Sequence, residues 1–334
     1  MDTRGDGRVP ILSLTLIGTM PSLDQRLEAR AAGIRIGTSG WSYPSGQGTW
    51  NGIFYPTPRP RGFDELAFYA EHFDTVEVNS TFYRSPEAAH VARWVARTPS
   101  DFLFSVKLFQ KFTHPDMYLA RGGSADWNPS RVDLDLFRAG LEPLVAHGRL
   151  GALVMQFPPS FHYAPESLDY LHWLLDAFAG YRPAVELRHK SWSDQAGAVD
   201  AALAAHQAAW VLIDEPKFAS SIAQTVSAPP TASPASSPLV YLRLHGRNAK
   251  DWWTHETAED RYNYCYSPEE LAPFADRAKA EASAGRKVFL YLNNHFSAKA
   301  AANAAVLQRQ VGQPVRGDYG LAFRMAYPEA FPEA

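Results

Sequence analysis

Glu77, Lys107, Gln156, Glu186, Arg188, Asp214, Arg243, His245 and Asn293 each stand at the end of a short apolar or β-branched run. Alternate residues of a strand point to opposite faces, so the apolar members of each run fix where the polar ones look. Val76 and Val78 leave Glu77 and Asn79 on the other face; Phe104 and Val106 leave Lys107; Leu153 and Met155 leave Gln156. Val185 and Leu187 likewise leave Glu186 and Arg188, while Asp214 follows Ile213, Arg243 and His245 interleave with Leu242 and Leu244, and Asn293 follows Leu292. Convergent polar ends of this kind form a site.

The residue types point to an anion. Arg188, Arg243 and Arg247, with Lys107, supply more cationic donors than a neutral sugar needs, and guanidinium forks match phosphate or carboxylate. Glu77 and Glu186 are the candidate proton carriers, with Asp214 and His245 completing the catalytic set and His114 and His189 as alternatives. The expected reaction is hydrolysis or lysis at a phosphate, with the cationic groups stabilising developing charge. A retaining glycosidase also needs two carboxylates, but the clustered arginines would hold both ionised.

Trp41, Trp50, Trp127, Trp192, Trp252 and Trp253 fall in predicted loops, beside Tyr43, Tyr83, Tyr262 and Tyr264, and offer a stacking platform. The expected ligand is therefore a small anionic molecule with a stackable ring, a nucleotide or nucleic-acid fragment. Its binding residues are Trp41, Asn79, Tyr83, Lys107, His114, Gln156, Arg188, His189, Arg243, Arg247, Asn293 and Asn294. Three other readings compete. Glu77, Glu186 and Asp214 could simply neutralise Lys107, Arg188 and Arg243, although buried ion pairs seldom gain over apolar packing. Glu77, Glu186, Asp214 and His245 could hold a divalent metal, as in sugar isomerase-like or endonuclease-like barrels, but no His-x-His or His-Glu-x-x-His spacing exists; no metal ligand is assigned and no cofactor is required. A non-enzymatic ligand-binding barrel is the third.

Eight strands must position these groups: 34–39, 75–79, 102–107, 151–157, 183–188, 209–214, 239–245 and 287–293. Helical periodicity fills most intervals, at 63–72, 86–97, 134–147, 165–178, 196–206, 268–284 and 298–309, with Pro86, Pro165 and Pro268 at first-turn positions. Unbroken strand–helix alternation predicts an α/β fold, a single-domain (β/α)8 TIM-type barrel over 34–312 with its site at the strand C-termini. Residues 1–33 read as a poorly ordered extension, 227–238 (SAPPTASPASSP) as a mobile low-complexity loop and 313–334 as a C-terminal segment.

The 334 residues, 46% of them hydrophobic, suffice for a large core, and a net charge of -3 gives no drive toward DNA or anionic membrane. No apolar run is long enough to span a bilayer. The single Cys265 suits a reducing compartment. The stretch Val9–Ile17 after Arg4 and Arg8 lacks a small-residue cleavage site, so the cytoplasm is the expected location.

The strings IGTSGW (36–41), EVNSTFY (77–83), QFPPSF (156–161), VELRHKSW (185–192), YLRLHGR (241–247) and YLNNH (291–295) resemble the signature segments of the YecE-like family, domain of unknown function 72. The resemblance runs from about Ile34 to Gln310 and implies a TIM-type barrel. The family name assigns no reaction, so the chemistry rests on the residues.

Overall fold

The computed structural model describes residues 33–123, 128–226, 237–254, 256–257 and 259–332. The expected extension before Gly33, most of the loop 227–238 and Trp127 lie outside these residues.

The strands fall where the alternation puts them: β1 (Ile34–Thr38), β2 (Thr75–Val78), β3 (Leu103–Lys107), β4 (Leu150–Gln156), β5 (Pro183–Glu186), β6 (Ala209–Trp210), β7 (Leu212–Asp214), β8 (Leu239–Leu244) and β9 (Lys287–Leu292). All pairings are parallel. They build an α/β fold of two sheets, one ordered β1-β9-β8-β7 and the other β2-β3-β4-β5-β6. The single ladder of a closed barrel is therefore divided. The sixth expected strand splits into β6 and β7 at Val211, whose N–H donates to Val185 O at 2.8 Å. At the other junction β1 meets β2 through one bridge, Ser39 to Glu77, with Gly40 N–H on Glu77 O at 2.8 Å.

Helices lie at α1 (Glu65–His72), α2 (Ser80–Tyr83), α3 (Ala88–Ala96), α4 (Pro115–Ala120), α5 (Arg131–Ala146), α6 (Pro165–Ala177), α7 (Lys190–Ser193), α8 (Ala196–Ala205), α9 (Pro268–Ser283), α10 (Lys299–Gln310) and α11 (Leu321–Ala326). The longest begin on side-chain caps. Ser130 with Asp133 and Ser267 with Glu270 form capping boxes at α5 and α9. The short helices α2, α4 and α7 follow β2, β3 and β5 in stretches where a helix was not expected, and α2 and α4 bring Phe82, Tyr83 and Met117 to the strand ends. Within the C-terminal segment Tyr319 and Phe323 are buried, their ring centroids 6.0 and 5.8 Å from Phe54. No helix among the described residues is long and apolar enough to cross a membrane.

Gly37 makes the β1–β2 junction possible, because a Cβ there would lie 2.3 Å from Thr75 O. Backbone cannot yield as a flexible side chain can. Gly37→Ala is expected to destabilise by about 1–3 kcal/mol in urea denaturation, as overpacking does. Gly197→Ala, in α8 with nothing within 4 Å of the added methyl, should be neutral or stabilising.

Candidate functional site

Arg243, on β8 and 1% exposed, is the hub of the strand C-terminal ends. Its Nη2 donates to Glu77 Oε1 at 2.7 Å, and its Nη1 donates both to Gln156 Oε1 at 2.8 Å and to Glu186 Oε2. The second oxygen of Glu77 accepts from the Tyr241 hydroxyl at 2.8 Å. Arg188, just past β5, donates from Nε to Glu186 Oε1 at 2.7 Å, and its Nη1 lies 3.5 Å from Glu215 Oε2. Both carboxylates at the centre, Glu77 and Glu186, are 0% exposed. Burial alone would raise the Glu186 carboxyl, but the Arg243 and Arg188 guanidiniums outweigh it and hold the group well below the ordinary carboxylate value. Glu186 is thus a fixed anion, a poor proton donor.

His245 extends the network. Its Nε2 lies 3.2 Å from Arg188 Nη2 and its Nδ1 lies 2.9 Å from the side-chain amide of Asn293. A guanidinium only donates, so Nε2 accepts and the proton sits on Nδ1; the Asn293 amide must then turn its oxygen to the ring. Burial and Arg188 pull His245 down to about 3, so it stays neutral.

Above this network opens a cavity of about 470 Å³, a size suited to a small ligand. Of the residues expected to bind, Asn79, Tyr83, Lys107, His114, Gln156, Arg188, Arg243 and Asn293 line it. Glu77, Glu186 and His245 do not line it, and meet it only through Arg188, Arg243 and Asn293. Lys107 stands apart from the other cations. Its Nζ sits 3.8 Å from the centre of the Phe82 ring and has no hydrogen bond or ion pair among the described residues. Burial, reinforced by Arg243, pulls its ammonium down to about 7. Burial together with Lys107 and Arg188 pulls His114 to about 3, its Nδ1 lying 2.8 Å from Thr113 Oγ1.

Five expected binding or catalytic residues, Asp214, Arg247, Asn294, His189 and Trp41, are placed elsewhere. Asp214 was expected to face inward, but Arg247 grips it in a two-pronged contact of 2.9 and 3.0 Å, and the Tyr266 hydroxyl donates to it at 2.7 Å. Both Asp214 and Arg247 line a separate depression against α9. Parity counting ran through the interruption at Val211 as though the strand were continuous. Asn294 donates to Tyr264 O and Asn303 Oδ1, both at 2.8 Å, and is fully buried away from the cavity. His189 stacks on His162 at 3.9 Å with Nδ1 on Ser191 Oγ, and Trp41 packs edge-on against Trp94. Separation of Asp214 also dissolves the four-residue metal set, and no group of three His, Cys, Asp or Glu among the described residues is placed to hold an ion.

None of the described tryptophans lines the cavity. Trp50 and Trp192 are 0% exposed, and each indole N–H donates to a carbonyl at 2.7 Å, of His295 and Phe161 respectively. These rings pin loops, because a buried indole N–H needs an acceptor. Tyrosines take the rim: Tyr43 stacks on His295 with centroids 4.4 Å apart, Tyr262 approaches the same imidazole at 5.0 Å, and Tyr83 is 51% exposed. Burial lowers His295 to about 4. Glu215, Glu259, Arg261 and His295 were not expected here. The adjacent carboxylates Asp214 and Glu215 at a strand end were the available signal for Glu215; Glu259 and Arg261 sit at a short 3-10 turn, Asp260–Tyr262, where strand parity says nothing.

The family model described as protein of unknown function DUF72 matches residues 35–322. The chain is 28% identical over 276 residues to the UPF0759 protein YunF of Bacillus subtilis, spanning 81% of this chain and 92% of that one. It is 30% identical over 157 residues to the UPF0759 protein YecE of Escherichia coli, about half of each chain. A crystal structure of a DUF72 family protein from Thermotoga maritima superposes with a TM-score of 0.66 at 29% identity, covering 84% of this chain and 99% of that one. One from Enterococcus faecalis gives 0.69 at 24% identity, covering 84% and 96%.

Proposed function

The chain belongs to the DUF72 family, whose description names no reaction, and from its site we propose that it binds a small anionic ligand, phosphate- or carboxylate-bearing, in the cavity at the strand C-terminal ends. One observation carries this reading: Lys107 faces the cavity without a counter-ion among the described residues, while Arg243 and Arg188 are already committed to Glu77, Glu186 and Glu215. An anion arriving there meets a cation that lacks a partner, beside two arginines already paired with carboxylates. Tyr83 and Tyr262 at the rim suit a ligand with a planar ring, such as a nucleotide. The ionised Glu186 is not a general acid for phosphoester cleavage, which leaves Lys107 as the candidate proton carrier in the cavity wall.

The test is thermal stabilisation by inorganic phosphate and by a mononucleotide. A ligand of the native state at about 100 times its Kd adds about 2.7 kcal/mol. Because the Lys107 ammonium titrates at about 7, the stabilisation should be larger at about pH 6 than at about pH 8.5. Lys107→Met should abolish it, and Arg93→Ala on the outer face of α3 should not. An equal response in Lys107→Met would remove the proposed role.

A further inference from the structure

We infer that Lys107 is a carbonyl-condensing amine, so that the anionic ligand of this cavity is an aldehyde or ketone held as an imine on Nζ. The inference rests on the cavity being the ligand site, and adds what the ligand must carry. Three features of the geometry support it.

First, the amine is presented and not tied down. The Lys107 carbonyl is clamped by Thr81 Oγ1 at 2.7 Å, while Nζ rests on the face of Phe82, the next residue of α2. A ring face attracts an ammonium and does not take up the nitrogen lone pair. A lysine kept for structure is normally paired, as Lys111 is with Asp133 at 2.9 Å.

Second, Arg243 and Arg188 line the same wall, and their positive charge disfavours a third cation beside them. A lysine amine surrounded in this way is unprotonated for much of the time near neutral pH, the condition for nucleophilic attack. Glu186 and Glu77 oppose this shift, but burial and Arg243 outweigh them.

Third, the cavity is open to solvent and has room for water to leave. The Nζ lone pair attacks the carbonyl carbon, and the carbonyl π pair moves to oxygen. Both amine protons pass to that oxygen, which departs as water and leaves the C=N bond. No oxidant, metal or further reactant enters the balance. The anionic group of the ligand would then lie toward the rim, where Arg261 lines the cavity.

The experiment is reductive trapping with cyanoborohydride at about pH 7. The 334-residue protein is incubated with glyceraldehyde 3-phosphate or, in parallel, with propionaldehyde, and the adducts are read by intact mass and peptide mapping. Expected is one adduct on Lys107, formed on the order of tenfold or more faster than on the exposed Lys190 and Lys250, because ordinary lysines are almost wholly protonated there. The rate should rise with pH through about 7, opposite to the trend for phosphate binding. Lys107→Arg and Lys107→Met should lose this adduct and keep the slow background. Adducts spread evenly over exposed lysines would overturn the inference, even where phosphate still stabilises the protein through Lys107. Selective trapping of propionaldehyde as fast as of the phosphorylated aldehyde would keep the amine and overturn the anionic ligand.

Discussion

Arg243→Met is expected to destabilise the protein by about 3–5 kcal/mol, the cost of leaving a buried charge without its partner. Its removal leaves two carboxylates, Glu77 and Glu186, both 0% exposed, that shared one guanidinium. Glu186 keeps Arg188 at 2.7 Å, whereas Glu77 keeps only the Tyr241 hydroxyl at 2.8 Å, so the greater strain falls on Glu77. At roughly 2–4 °C per kcal/mol, the melting temperature should fall by about 6–20 °C. The double variant Glu77→Gln, Arg243→Met should recover a large part of the loss, because it removes the orphaned carboxylate and leaves the Glu186–Arg188 pair intact. Calorimetry of the wild type, the single and the double variant checks this. If the double variant is no better than the single one, shape and not charge is what Arg243 supplies.

Acid sensitivity is the second large effect. His245 and His114 are held neutral with folded values of about 3, and His295 with one of about 4, against an ordinary value of 6.5. Below 6.5 the unfolded chain takes up protons that the folded chain refuses, so stability falls as pH falls from 6.5 toward 3 to 4. Each such group contributes a slope of about 1.4 kcal/mol per pH unit. Glu186, lowered in the fold, acts in the same direction once pH drops below its ordinary 4.5. Cooperative acid unfolding is expected well above the pH at which exposed carboxylates titrate. Urea denaturation at several pH values checks it, and His245→Gln should flatten the slope by about one group's share. An unchanged slope in that variant would show that His245 is not among the groups that matter.

The strand positions were legible because β-branched and apolar runs between helical stretches leave few alternatives. Parity then placed Glu77, Lys107, Gln156, Glu186, Arg188 and Arg243 around one strand end, where the structure has them either lining the cavity or in the network beneath it. The same rule failed at Asp214, where Val211 interrupts the ladder and Arg247 captures the carboxylate against α9. What periodicity could not convey is pairing. That Arg243 is consumed by two carboxylates while Lys107 is left over depends on which side chains meet across strands far apart in sequence. The tryptophans misled for a related reason: the indole N–H groups of Trp50 and Trp192 found carbonyls and turned these rings inward.

Arg243 stands on one sheet, and its partners Glu77, Gln156 and Glu186 all stand on the other. One side chain therefore joins the two halves of the fold as well as flooring the cavity, and no uncharged side chain can replace it without stranding a charge. In a lineage that changes one residue at a time, this trio is locked by folding whatever the ligand becomes. Its presence in a relative would then testify to common architecture and say nothing of common substrate. Position 107 carries no such constraint, and it is there that descendants are free to diverge in what they bind.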